Sequence, residues 1–453
     1  MAFTKSLIAL LPLFNLFLQS SAIAIVADSI CPIPYIVPRA FSYFSDPTDE
    51  FLDEDDLPIT VKLASPSAGH PQWISSMLLR TRPNIWTLEP YCMRSLEARQ
   101  DICVYTSTWF AQGRGISFVA IPSEGPLVAT APVLKNQMTH QFDTWVNPEN
   151  DQRIERVPIP NKGLGTLSRH HFERGDAAQS FTPVLCIQDG VMQMKLGSYE
   201  QNTTLNRGAA NLPPKSRTLM LELHGQFGGN PVYDKVNTNA FNAAIGSSQQ
   251  AYWSVYPETA RYNHDCRPNT MYSIDERDLL HNLRVGRKII PGEEITLSYL
   301  APNMMSEERK QRIHAQWGFS CSCPSCTAPK DVKELSDYRI GMIETLETEL
   351  NDLSLDRNAS ISTAEMLISL HQQERLDGVV GDAYMYAAFE HAYIGDKRGT
   401  QMNAALACEH MAIWRGTNHQ YYQAMQRLLV NPEAERSWQY FARVKRGEVL
   451  PLG

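Results

Sequence analysis

The run Asn263-His264-Asp265-Cys266-Arg267-Pro268-Asn269 decides the reading of this chain, together with Glu294-Ile295-Thr296-Leu297-Ser298-Tyr299 and Cys321-Ser322-Cys323-Pro324-Ser325-Cys326 downstream. Tyr272 to Ile274 and Leu283 to Ile290 are strand candidates between the first two runs. The turn Pro291-Gly292-Glu293-Glu294 then leads into a strand from Ile295 to Leu300. A short helix separates Tyr299 from the cysteines. Three thiols this closely spaced suit a metal shell or disulfide bonding, and both readings stay open. As zinc ligands they leave a tetrahedral shell one donor short, and Cys266 is the natural fourth. Gly113-Arg114-Gly115, ahead of the alternating Ile116 to Ile121, marks a tight turn where backbones approach closely.

In this order the segments resemble the catalytic end of a SET-domain protein lysine methyltransferase. The chain is similar to the SET and MYND subgroup, without that subgroup's second zinc module, since residues 135–215 hold only Cys186. The resemblance implies an α+β fold: a β-rich SET domain with a threaded C-terminal segment and a post-SET zinc loop, then an α-helical domain. It implies transfer of a methyl group from S-adenosylmethionine to a lysine of a protein or peptide. Tyr299 falls at the position of the active-site tyrosine. Gly113, Arg114, Gly115, Asn239, Asn263, His264 and Phe319 fall at cofactor-binding positions, with Trp317 an alternative to Phe319. Cys266, Cys321, Cys323 and Cys326 are the implied zinc ligands, Cys266 tying the post-SET loop to the cofactor motif. The other reading is a SET-derived scaffold or binding protein that keeps fold and zinc without catalysis.

The rest of the chain bounds these readings. With 453 residues it exceeds what one core usually supports. An apolar fraction of 43% and a charged fraction of 20% are those of a globular protein. A net charge of −8 argues against nucleic-acid binding. Lys5, the apolar run Leu7 to Leu18 and Ala22-Ile23-Ala24 form the three-part pattern of a secretory signal peptide over residues 1–24. A buried N-terminal helix or an upstream start codon would read alike. No stretch reaches membrane-spanning length, so no transmembrane anchor is expected. The leader points to the secretory pathway or the exterior, and the domain resemblance to nucleus or cytoplasm.

Residues 25–89 read as an irregular, Pro- and Asp-rich lead-in, 90–330 as the SET unit and 331–453 as the helical domain. Val128 to Leu134 reads as a strand, and 135–215 as an insertion with helical stretches. Cys92 and Cys103 pair if the compartment is oxidising and stay thiols if it is reducing. The sequons at Asn202 and Asn358 carry meaning only in the secretory route. His170-His171 reads as a solvated loop. Oligomeric state and substrate are not encoded in any recognisable pattern.

Overall fold

The computed structural model describes residues 85–95, 99–135, 152–194, 199–248 and 250–449. The expected leader and most of the lead-in lie outside these residues. Thirteen strands are described: β1 (Tyr91–Arg94), β2 (Asp101–Ser107), β3 (Ile116–Ala120), β4 (Ile154–Ile159), β5 (Gly163–Ser168), β6 (Ala177–Phe181), β7 (Leu185–Gln188), β8 (Phe241–Ala244), β9 (Ala251–Val255), β10 (Asn263–His264), β11 (Thr270–Asp275), β12 (Leu280–Val285) and β13 (Glu294–Leu297). They form three sheets, ordered β1-β2-β3-β7-β9-β8, β10-β13-β5-β4 and β11-β12-β6.

The central strands of the largest sheet, β2, β3 and β7, are buried on both faces because apolar residues fill nearly every position along them. Along β2, Ile102 and Val104 enter one core while Cys103 and Tyr105 enter the other, the two-residue period of a strand. Helix α1 (Tyr199–Asn211) covers the first face. Gly208 lets it approach: a Cβ there would sit 3.1 Å from Leu185 and Val119. Helices α2 (Pro214–Leu221) and α3 (Pro231–Asn239) each start with proline in the first turn, where a missing N–H costs nothing.

Two local expectations differ from the structure. Residues 128–134 are not a strand; Glu124–Val128 and Pro132–Lys135 are short helical turns. Pro126 and Pro132 lack the N–H a ladder needs, and buried Glu124 is held by Ser248 and Tyr252 hydroxyls at 2.5 and 2.9 Å. Within 135–215 a helix is found at Tyr199–Asn211, but residues 154–188 hold β4 to β7, which were not expected, and these supply strands to all three sheets. Gly163-Leu164-Gly165 hid the strand signal, because glycines break the alternation that marks a strand.

After β13 come α4 (Ser306–Trp317), α5 (Lys330–Asn351), α6 (Ile361–Gln373), α7 (Val380–Ile394), α8 (Lys397–Trp414), α9 (Gln420–Val430) and α10 (Tyr440–Lys445). The helix-spaced apolar pattern placed α5 to α9 within a few residues. Ala388, Ala392, Ala404 and Ala407 line the α7–α8 contact, where small side chains allow close packing. The fold is α+β with a helical C-terminal region, as expected. Among the described residues, no helix is long and apolar enough to cross a membrane.

Candidate active site and metal centre

Strand β10 lies parallel to β13, with Asn263 opposite Thr296 and His264 opposite Leu297. Tyr299, two residues past β13, is thereby carried to His264. Its backbone N–H donates to Nδ1 of His264 at 3.1 Å, and its hydroxyl donates to the Tyr262 carbonyl at 2.7 Å. The two rings lie 5.2 Å apart. Because Nδ1 accepts, the network assigns the proton to Nε2, which faces Cys266 Sγ at 3.3 Å. Burial pushes the His264 pKa down to about 4, so the ring is neutral near pH 7. Burial and then the Glu294 charge push the Tyr299 phenol up, keeping it protonated.

The last residue of the motif has a role that sequence reading left unassigned. Asn269 is buried; its Oδ1 accepts from the Thr296 N–H at 2.9 Å, and its Nδ2 donates to the Glu294 carbonyl at 2.8 Å. It locks the turn after Cys266 onto β13. Asn263 donates to the Glu294 carboxylate at 2.8 Å, and Lys162 holds the other oxygen at 2.8 Å. Gly165 makes room: a Cβ there would lie 2.7 Å from both Asn263 Nδ2 and Glu294 Oε1.

The sulfurs of Cys266, Cys321, Cys323 and Cys326 all lie within 4.8 Å of one another, and those of Cys266 and Cys326 are 3.5 Å apart. None is in a disulfide. A tetrahedron with Zn–S bonds of about 2.3 Å has edges of about 3.8 Å, so the donor set fits zinc. The four would hold the ion, pinning the cysteine loop to the His264 strand. Cys92 and Cys103, opposite each other across β1 and β2, form a disulfide.

The remaining candidates divide. Phe319 lies 6.4 Å from the His264 ring, and Trp317 5.1 Å from Tyr299. Trp317 also donates to the Thr238 carbonyl at 2.9 Å, beside Asn239. Asn239 itself donates to the carbonyls of His224 and Lys235 at 2.7 and 2.8 Å. The Arg114 guanidinium turns inward, gripping Glu258 at 2.7 and 2.8 Å and the Thr182 carbonyl at 3.1 Å. Gly113 and Gly115 hold the positive φ that glycine tolerates, and Pro213 fills the space where a Gly115 Cβ would go. His170 and His171 are exposed, as expected.

Residues 101–300 match the SET domain family. The chain carries a SET domain. The histone-lysine N-methyltransferase set5 of Schizosaccharomyces pombe is 21% identical over 64% of this chain and 87% of that protein. The mouse histone-lysine N-methyltransferase Smyd1 is 22% identical over 55% of this chain and 56% of its own length. Human SMYD3, a histone-lysine N-methyltransferase, reaches 36% identity over 23% of this chain but only 24% of its length. This SET domain is thus homologous to those of protein-lysine methyltransferases, and against the two mammalian relatives the match spans about half their length or less.

Proposed function

We propose that the protein transfers a methyl group from S-adenosylmethionine to a lysine side chain of a protein. The observation that carries this reading is the junction of Tyr299, His264 and the four-cysteine cluster within one SET domain. The donor supplies a methyl carbon activated by its sulfonium. The rings of Tyr299, Trp317 and Phe319 offer faces that suit a cation. Tyr299, held by the Tyr262 carbonyl, presents a protonated phenol at a fixed place, and positioning of this kind supplies much of a displacement's rate. Apolar surroundings also favour the neutral, reactive form of an incoming lysine.

A cavity of about 370 Å³ is lined by Pro302 and Asn303 and by the helices carrying Glu347, Asp382, Tyr386 and Trp414. Arg415 pairs with Asp382 through bonds of 2.9 and 2.5 Å. Among the described residues, Glu347 meets the cation-capable His371 Nε2 at 4.0 Å, and burial, then Asp382 and Glu344, raise its pKa to about 7. A basic residue of the protein substrate supplies the missing charge. Glu347→Gln therefore raises the KM of a basic peptide about tenfold with kcat within twofold; an unchanged KM removes the cavity from substrate binding.

The leader pattern and the Cys92–Cys103 bond support maturation in an oxidising compartment. Mass spectrometry of the protein from its native source should find an N-terminus near Ile25 and the intact bridge. An N-terminal Met1 with two free thiols would overturn this placement. The methyltransferase reading is tested by methyl incorporation into protein substrates, with Tyr299→Phe as the comparison.

A further inference from the structure

Arg267 stands next to the zinc-ligand candidate Cys266, yet its side chain leaves the SET domain for the helical one. Its Nε donates to the Glu374 carbonyl at 2.6 Å and its Nη2 to the Glu374 carboxylate at 2.9 Å. Nη1 turns back to the Cys266 carbonyl at 2.9 Å, fixing the backbone of that cysteine. Glu374, at the C-terminal end of α6, is buried and receives two further bonds, from Ser336 Oγ and Arg339 Nε, each at 2.6 Å. Both of those residues lie on α5, which begins four residues after Cys326. The path is closed: from Cys266 through Arg267 to Glu374, through α5 back to the cysteine loop.

We infer that Glu374 is a positioning residue for the metal centre, holding Cys266 and the Cys321–Cys326 loop at ligand distance from outside the ligand shell. This rests on the zinc reading of the four cysteines. Side-chain oxygens of one carboxylate grip both halves of the site, so the sulfurs are brought together by protein contacts as well as by an ion. An outer support of this kind slows metal loss without touching the metal. Removing the negative charge leaves Arg267 and the half-buried Arg339, two like charges, without the carboxylate that binds them both. The two halves of the site are then held together less firmly, and a zinc ion there would be released more readily.

The test follows zinc transfer from the purified full chain to a chromogenic chelator, at a temperature well below unfolding. Wild-type protein must first carry one zinc; a metal-free wild type with intact fold overturns the zinc reading and this proposal with it. Glu374→Gln should release zinc at least tenfold faster. Glu390→Gln is the comparison, because Glu390 forms an equally buried pair with Arg357 inside the helical domain, away from the cysteines. That variant should lose similar thermal stability and release zinc within twofold of wild type. Ser336→Ala, a milder change that removes one bond, should give a two- to threefold acceleration and covers the case where Glu374→Gln fails to fold. Equal release rates for the Glu374 and Glu390 variants, or wild-type release from Ser336→Ala when Glu374→Gln does not fold, would overturn the role.

Discussion

At the scale of single residues, the proposed chemistry rests on Tyr299 and the local shape on Asn269. Tyr299→Phe removes the hydroxyl that the Tyr262 carbonyl orients while leaving the ring in place. Methyl incorporation should fall by a hundredfold or more, with donor affinity within a few-fold by calorimetry; unchanged turnover would remove Tyr299 from the mechanism. Asn269→Ala leaves the Thr296 N–H unpaired in the interior, at a cost of about 1–3 kcal/mol read by denaturant unfolding. These two residues also show what a sequence discloses. Tyr299, His264 and the cysteines were legible because their residue types and order match one recognisable chemistry. Arg114 stood in the Gly-x-Gly motif with its role in doubt, and its guanidinium pairs with Glu258, a partner 144 positions away that no local pattern announces. Gly165 was invisible for the same reason: it is small because Asn263 and Glu294 occupy its space.

At the scale of elements, the helices were the more legible part. Their apolar period runs over three or more turns, whereas β4 to β7 are short, and β5, β6 and β7 take partners far along the chain. β6 finds its partner in β12, about a hundred residues on, while β5 pairs with the neighbouring β4 and also with distant β13. The β1–β2 pair places Cys92 and Cys103 in register, so oxidation closes an existing contact. By loop-closure entropy the bridge contributes about 2–3 kcal/mol, and Cys92→Ser should lower the unfolding free energy by that amount. The Arg114–Glu258 pair joins the loop before β3 to the segment after β9. Burial alone would raise the Glu258 pKa, but the Arg114 charge and hydrogen bonds outweigh it and hold the carboxyl below its usual range. A depressed carboxyl stabilises the fold above its unfolded pKa of about 4.3, and that contribution is lost as pH falls through the lower folded value. Glu258→Gln should therefore flatten the acid limb of the stability profile below about pH 4; an unchanged limb would mean the pair does not drive acid unfolding.

At the scale of the molecule, the helical region is fastened to the SET domain at several points. Arg267 and Arg339 grip Glu374, Arg174 pairs with Glu409, and Asn418 donates to Asp275 at 2.6 Å. Helical periodicity disclosed this region as a set of hairpins, but not that it touches the residue beside Cys266. Its support of the metal loop is a property of the assembled fold. The assembled SET domain, with zinc in place, is expected to bind a methyl donor beside Tyr299. Titration calorimetry of S-adenosylmethionine into the full chain, after metal analysis confirms one zinc per molecule, tests it most directly. One donor should bind per chain, and binding should be lost when the zinc is stripped. Absence of binding heat at several temperatures, from protein with its zinc confirmed, would contradict it.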